Sequence, residues 1–286
     1  MRKIIELILN WLKSLFSRKK TETETKPQTE TGTTTPSTGE GGSVGTDVTE
    51  KPHIGSEQEE PEPNVPTNTT LANVDPPKKE PKGIIVLLDN GHAKSTPGKR
   101  SPKKDNGDQF FEYEFNRDIV RRICEKLDML GIKHETLVPE TENDISLTSR
   151  AARANKFVNL YGVDKCLFLS VHANASGNGS QWMDPNGWSC YTSKGETAAD
   201  PYAEVFMCEA EKILVPMGRK IRKYSQKKYS WENNYTVLVK TKCPAVLTEN
   251  LFYDNKEDLE FLQSEVGRDA IAQIHVNAIE KINNPD

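Results

Sequence analysis

Two histidines and two glutamates, each beside an apolar run, are the side chains of this sequence best suited to chemistry. His92 closes I-I-V-L-L-D-N-G-H, His172 sits near the end of C-L-F-L-S-V-H-A-N, Glu249 follows P-A-V-L-T, and Glu112 opens E-Y-E-F-N-R-D-I-V. Polar residues at the carboxyl ends of buried strands can converge on one rim of a sheet, where open α/β sheets place their sites. Two imidazoles and a carboxylate make a ligand set for catalytic zinc, and a spare carboxylate is the general base such a centre uses. Taken singly, each has an ordinary explanation. A histidine after a strand is usually a hydrogen-bonded structural residue, and Glu112 alone is a helix-start carboxylate favoured by the dipole. Glu249 is harder to place passively, because burying a carboxylate at a strand end is costly without a partner or a task.

The elements that must carry these residues follow from hydrophobic periodicity. Strands are expected at 84–89, 134–138, 165–171, 188–192, 236–240 and 245–248. Helices are expected from 112 or 114 to 130, and at 147–160, 200–214, 257–262 and 266–282. Phe115, Ile119, Val120, Ile123, Leu127 and Leu130 form the core face of the first helix, which Gly131 ends by tolerating a left-handed conformation. Ser146 or Asp144 caps the next helix. Alternating β and α elements imply an α/β fold with a mixed, mostly parallel sheet flanked by helices on both faces.

The N-terminal third has a different character. Ile4, Ile5, Ile8, Trp11, Leu12, Leu15 and Phe16 recur at helical spacing and are followed by Arg18, Lys19 and Lys20. Spanning a bilayer takes about 20 predominantly apolar residues. This run is shorter, interrupted by charge, and lacks a small-residue cleavage site of the A-x-A kind. An amphipathic helix over residues 1–17, lying in the membrane interface with its cationic flank toward anionic lipid, is therefore expected; packing on a partner protein is the alternative. Residues 18–82 are Thr, Glu, Pro, Gly, Ser and Lys with hardly any large apolar residue. Such a stretch cannot offset a chain entropy of roughly 1–2 kcal/mol per residue and is expected to be a disordered linker. Residues 83–283 then form one cored domain.

Composition excludes some partners and names none. The net charge of −4 is small, and the richest basic stretch, 218–229, is too short for a nucleic-acid footprint. It is read as a solvated helix end and loop, with contact to an anionic wall polymer as the alternative. Five cysteines without C-x-x-C spacing argue against a disulfide framework; Cys124, Cys166 and Cys208 are expected on apolar faces.

The motif order L-L-D-N-G-H, E-Y-E-F-N-R-D-I-V, S-L-T-S-R-A-A-R-A-N, F-L-S-V-H-A-N and V-L-V-K-T-K-C-P-A-V-L-T-E-N-L-F resembles the zinc-dependent N-acetylmuramoyl-L-alanine amidases of the type-3 family, peptidoglycan hydrolases of bacteria and their phages. The resemblance runs from residue 83 to about 282. It implies His92, Glu112 and His172 as ligands of Zn2+ and Glu249 as the catalytic glutamate. Glu114 competes with Glu112, but the family's ligand precedes an asparagine by four positions, as Glu112 precedes Asn116. Ala93 and Lys94 stand where the family usually carries a small Gly-Gly or similar, a departure at the site rim. Arg150 and Asn155 match a family segment and read as packing and hydrogen-bonding residues. The loop 174–191 could contact glycan or stem peptide, with Trp182 a candidate contact and Trp188 read as core packing.

The implied activity is hydrolysis of the amide between N-acetylmuramic acid and the L-alanine of the stem peptide. Peptidoglycan is then the partner, through its glycan strand and stem peptide. A monomer is expected, held at a membrane surface by residues 1–20 and acting in the periplasm or cell-wall space, by an export route the sequence leaves open. Two other readings stand beside it: a non-catalytic cell-wall-binding module on the same scaffold, and a zinc carboxypeptidase acting on stem peptides. For the N-terminal segment, residues 1–20 fused to a fluorescent protein should sediment with membranes, and a fully soluble fusion would remove the membrane reading.

Overall fold

The sheet is built from apolar runs that stay buried on both faces. All six residues of β1 (Ile85–Asn90) are buried, as are the first six of β3 (Cys166–Asn174) and most of β6 (Ala245–Phe252). The structure, a computed structural model, describes residues 83–284. The expected helix 1–17 and linker 18–82 lie outside the described residues, among which no helix is long and apolar enough to cross a membrane. The remaining strands are β2 (His134–Thr136), β4 (Ser189–Thr192) and β5 (Trp231–Glu232). Their order is β2-β1-β3-β6-β4-β5. β2, β1, β3 and β6 are mutually parallel, while β4 pairs antiparallel with β6 and carries β5 parallel to itself. The sheet is thus mixed and mostly parallel.

Helices cover both faces. On one side α1 (Glu112–Leu130), α3 (Asp200–Leu214), α5 (Lys256–Gln263) and α6 (Glu265–Asn283) pack a core around Phe115, Ile123, Trp188, Phe206 and Ile274. On the other, α2 (Leu147–Tyr161) and α4 (Thr236–Lys240) pack Ala154, Val158, Val237 and Leu238 on Leu87, Phe168 and Leu247. Gly131 ends α1 in the left-handed conformation, its N–H donating to the carbonyl of Asp128. Leu130 has rotated off the core face and is exposed. Ser146, rather than Asp144, caps α2, its hydroxyl accepting from the N–H of Ser149 at 3.1 Å.

Besides Leu130, three expectations are corrected. Residues 236–240 form α4 rather than a strand. The run T-V-L-V-K has strand propensity, but its consecutive Val237 and Leu238 are both buried while Val239 is exposed, a pattern a helical turn satisfies and a pleat does not. β6 continues three residues beyond Glu249, so this carboxylate stands within a strand rather than at its end. Cys208 is exposed: on α3 it follows the buried Met207 by one residue, a 100° turn that takes it off the core face. All five cysteines are free.

The end of β1 is fixed by a buried ion pair. Arg150 of α2, 1% exposed, donates to Asp89 Oδ1 at 2.6 Å, to the carbonyl of Asn90 at 2.9 Å and to Asp144 at 2.6 Å. Ser170 of β3 satisfies the other Asp89 oxygen at 2.6 Å. Removing one partner of such a pair strands a buried charge, a loss of about 3–5 kcal/mol. Asn155, also on α2, accepts from the N–H of Lys242 and donates to the carbonyl of Lys240, tying α2 to the end of α4. Both residues serve packing and hydrogen bonding.

Candidate metal centre and active site

Directly after Asn90 the chain makes a turn that the strand could not. His92 has a positive φ of 62°, a conformation that costs a non-glycine residue about 1–3 kcal/mol unless its surroundings hold it. They do: Arg117 of α1 donates to the His92 carbonyl at 2.9 Å, and the next N–H, of Ala93, donates to the Thr96 hydroxyl at 2.9 Å. Gly91 precedes it because the His172 ring lies there. A Cβ on Gly91 would stand 2.1 Å from His172 Cε1.

Glu112 occupies the first turn of α1, where unpaired backbone N–H groups favour a negative charge. It is 1% exposed. Its Oε1 lies 3.0 Å from His172 Nδ1 and accepts from the N–H of Ala173 at 3.2 Å, while Oε2 lies 3.5 Å from His92 Nε2. Asn116, one turn on, donates to the Gly91 carbonyl at 3.1 Å and approaches Glu112 Oε1 at 3.4 Å. Glu114, in contrast, is exposed and accepts from the Tyr113 hydroxyl. The choice between the two glutamates is therefore geometric: only Glu112 faces the histidines.

His172 and Glu249 are register partners on β3 and β6. Beyond them the pairing shifts, Asn174 meeting Phe252, and the extra residue falls on β6 where Leu251 adopts a positive φ of 66°. Such a bulge bends a strand beside a site. The residues flanking Glu249 anchor the strand on its other face. Asn250 donates to the His172 carbonyl at 2.8 Å and accepts from the indole of Trp188 at 2.6 Å. Thr248 meets His275 Nε2 at 2.9 Å. His275 Nδ1 donates to the Ile271 carbonyl, so its Nε2 accepts from Thr248, and burial, pushing its pKa down to about 4, keeps the ring neutral. Asp89 and Asn174, the sequence neighbours that could have oriented the histidines, are engaged elsewhere: Asp89 by Arg150 and Ser170, Asn174 by the N–H of Ala175.

The charges are strongly interdependent. Burial lowers the His92 pKa to about 4 against the opposing pull of Glu112, leaving a neutral imidazole with a free lone pair. Burial would raise Glu112, but His92 and the hydrogen bond and charge of His172 hold it down at about 2. For His172, burial is outweighed by Glu112, and its pKa is raised. Burial raises Glu249 to about 7 against the field of His172.

His92, Glu112 and His172 each offer one donor atom, all within 4.8 Å of one another. Two imidazole nitrogens and a carboxylate oxygen are the donor set of a catalytic zinc site with one position left for water or substrate. Ligand bonds of about 2.0–2.2 Å separate tetrahedral donors by roughly 3.4 Å, close to the 3.0 and 3.5 Å that Glu112 makes with the two rings. The buried Oε2 of Glu112 has no hydrogen-bond partner, and neither has Oε2 of Glu249. A cation fits this arrangement.

Comparison with known proteins agrees with the geometry. A profile of the N-acetylmuramoyl-L-alanine amidase family matches residues 86–281. The chain belongs to that amidase family. It is 31% identical over 206 residues to the endolysin of Bacillus phage SPP1, a match spanning 70% of this chain and 66% of that protein. It is 32% identical over 206 residues to the N-acetylmuramoyl-L-alanine amidase CwlM of Bacillus licheniformis, covering 70% and 69%. The fold is that of the N-acetylmuramoyl-L-alanine amidase from Clostridium difficile 630, with a TM-score of 0.58 at 21% identity over 72% of this chain and all of the other. The chain thus spans about two thirds of the length of these two curated relatives, and the family match lies within residues 86–281.

A cavity of about 270 Å³ opens beside three of the four residues, lined by Glu112, His172, Glu249, Lys99, Tyr253 and the segment around Gly177. Only the first part of the loop 174–191 reaches it. Trp188 is fully buried in the core, and Trp182 packs against that core with Lys256 5.6 Å above its ring. In the basic stretch 218–229, Arg219 pairs with Asp258, Lys223 with Glu211, and Lys228 with Glu232 and Asp200, while Lys220, Arg222 and Lys227 enter no ion pair among the described residues. Lys99 and Gly91 escaped the sequence reading, because the segment between β1 and α1 has no periodicity to place it. Gly91→Ala should fold with an unchanged far-ultraviolet spectrum and bind zinc at least tenfold more weakly in competition with a chromophoric chelator; wild-type affinity would contradict the role given to this close approach.

Proposed function

We propose that residues 83–283 hydrolyse the amide joining the lactyl group of N-acetylmuramic acid to the L-alanine of the stem peptide, with His92, Glu112 and His172 holding Zn2+ and Glu249 as the general base. The observation that carries this reading is the convergence of both imidazoles on the buried Glu112, with Glu249 in register beside His172. When bound, zinc supplies a Lewis acid for the scissile carbonyl and brings the pKa of its water to about 7.

The protein's own groups do the rest. Glu249 faces the cavity with a carboxylate oxygen that nothing else satisfies. It takes a proton from the attacking water and returns it to the alanine nitrogen as the C–N bond breaks, leaving a lactyl carboxylate and a free amine. Burial sets this carboxylate above the usual glutamate range, where a base gains driving force for the proton without being wholly protonated at neutral pH. Arg117, Asn116 and Asn250 fix the backbone around the histidines so that little reorganisation accompanies the reaction.

The N-terminal helix and linker complete the proposal. Residues 1–20 would lie on a membrane surface, and a flexible linker of about 65 residues has an r.m.s. span of roughly 40–50 Å. The domain could then search a nearby wall layer while remaining attached. Digestion of purified sacculi, read by mass spectrometry, tests the activity. Wild-type protein should release peptides with a free N-terminal L-alanine, lose this on chelation, and show an acid limb as Glu249 is protonated. Glu249→Gln should retain zinc and lose at least a hundredfold in rate; near-wild-type hydrolysis by it would reject the assignment, and release of single C-terminal residues would favour the carboxypeptidase reading.

A further inference from the structure

The cavity has one aliphatic cation in its wall. Lys99 lines it together with Glu112, His172 and Glu249, and the other lining residues, apart from His172, are neutral or acidic. The ion pairs around the site are His92–Glu112, His172–Glu112 and Lys94–Glu142, and Lys99 takes part in none among the described residues.

Lys99 is also held in place. Its carbonyl accepts the N–H of Glu112 at 3.0 Å, and Arg100 bridges to Phe111, so the backbone of this loop is tied to the start of α1. Gly98, at a φ of 74°, makes the turn that brings Lys99 to the wall. The wall formed by the segment after β3 is equally fixed. Asp254, fully buried, accepts from the N–H groups of Ser176 and Gly177 at 2.8 and 2.7 Å. The residues of that wall which line the cavity, Asn174, Ala175, Gly177 and Asn178, carry no acid to neutralise the lysine.

A half-buried lysine in the cavity wall, without an ion-pair partner among the described residues, favours an anion. Around the scissile amide, the muramoyl side offers neutral hydroxyl and acetamido groups, while the peptide side carries carboxyl groups. We propose that Lys99 binds a carboxylate of the stem peptide on the alanine side of the scissile amide, making the enzyme selective for stems whose second residue keeps a free α-carboxyl. This rests on the amidase reading and adds a specificity determinant to it.

The test uses two soluble muramoyl-peptides that differ only in whether that α-carboxyl is free or amidated, with the full-length zinc-loaded protein. Wild type should favour the free carboxylate at least fivefold in kcat/KM. In Lys99→Gln the ratio should fall to near one through a higher KM for the carboxylate substrate, and Lys99→Arg should restore the preference. Titration with the corresponding free peptides should show the same loss of discrimination in Kd. A preference that survives in Lys99→Gln, or no preference in wild type, would overturn the subsite while leaving the amidase reading intact. An equal fall of kcat on both substrates would also overturn it, assigning Lys99 to the reaction itself. Wild-type protein that cleaves neither substrate but digests sacculi to terminal residues would instead overturn the amidase reading.

Discussion

Glu112 carries a negative charge with almost no access to water, and the arrangement of the site follows from what compensates it. The first turn of α1 supplies backbone dipoles, the N–H of Ala173 supplies a hydrogen bond, and two imidazoles face its oxygens. An unpaired ionised carboxylate in such surroundings would take up a proton. Here the balance goes the other way, and the pKa is held near 2. One oxygen still lacks a hydrogen-bond partner, a demand that the proposed cation would meet.

Meeting that demand constrains the backbone on three elements. β1 must end before Gly91, because His172 occupies the space a side chain would need, and His92 must turn into a left-handed conformation to aim back at the site. β3 and β6 must stay in parallel register through His172 and Glu249 and only then slip, which the bulge at Leu251 accomplishes. The Arg150–Asp89 pair fixes the end of β1, and the Thr248–His275 contact fixes β6 to α6. Glu249, adjacent but outside the trio, keeps the high proton affinity that its neighbours deny to Glu112. The buried Glu112 and the half-buried Glu249 are thereby driven in opposite directions, as the proposed ligand and base require.

Much of this was legible in the sequence because it depends on local signals. Apolar runs ending in D-N-G-H, S-V-H and L-T-E mark strands that carry polar residues to one rim, and the periodicity from Phe115 to Leu127 marks the helix that brings Glu112 to it. The choice of Glu112 over Glu114 followed the spacing to Asn116, and the structure shows the physical basis: Asn116 bridges that carboxylate and the Gly91 carbonyl. What was not legible depends on tertiary contacts. The run 236–240 has strand chemistry, but its burial against α2 selects a helical turn. The extension of β6 past Glu249 needs a bulge that no residue type announces, since Leu251 is a poor candidate for positive φ. Lys99 reaches the cavity through a turn whose partners lie thirteen residues on, at Glu112.

The central claim is that one ion sits between His92, Glu112 and His172. Anomalous diffraction from zinc-loaded crystals, collected on both sides of the metal edge, addresses it directly. The account predicts a single peak with ligand distances of about 2.0–2.2 Å to one atom of each of the three residues, and Glu249 beside the remaining coordination position. A peak held by Glu114, or located away from this trio, would contradict it.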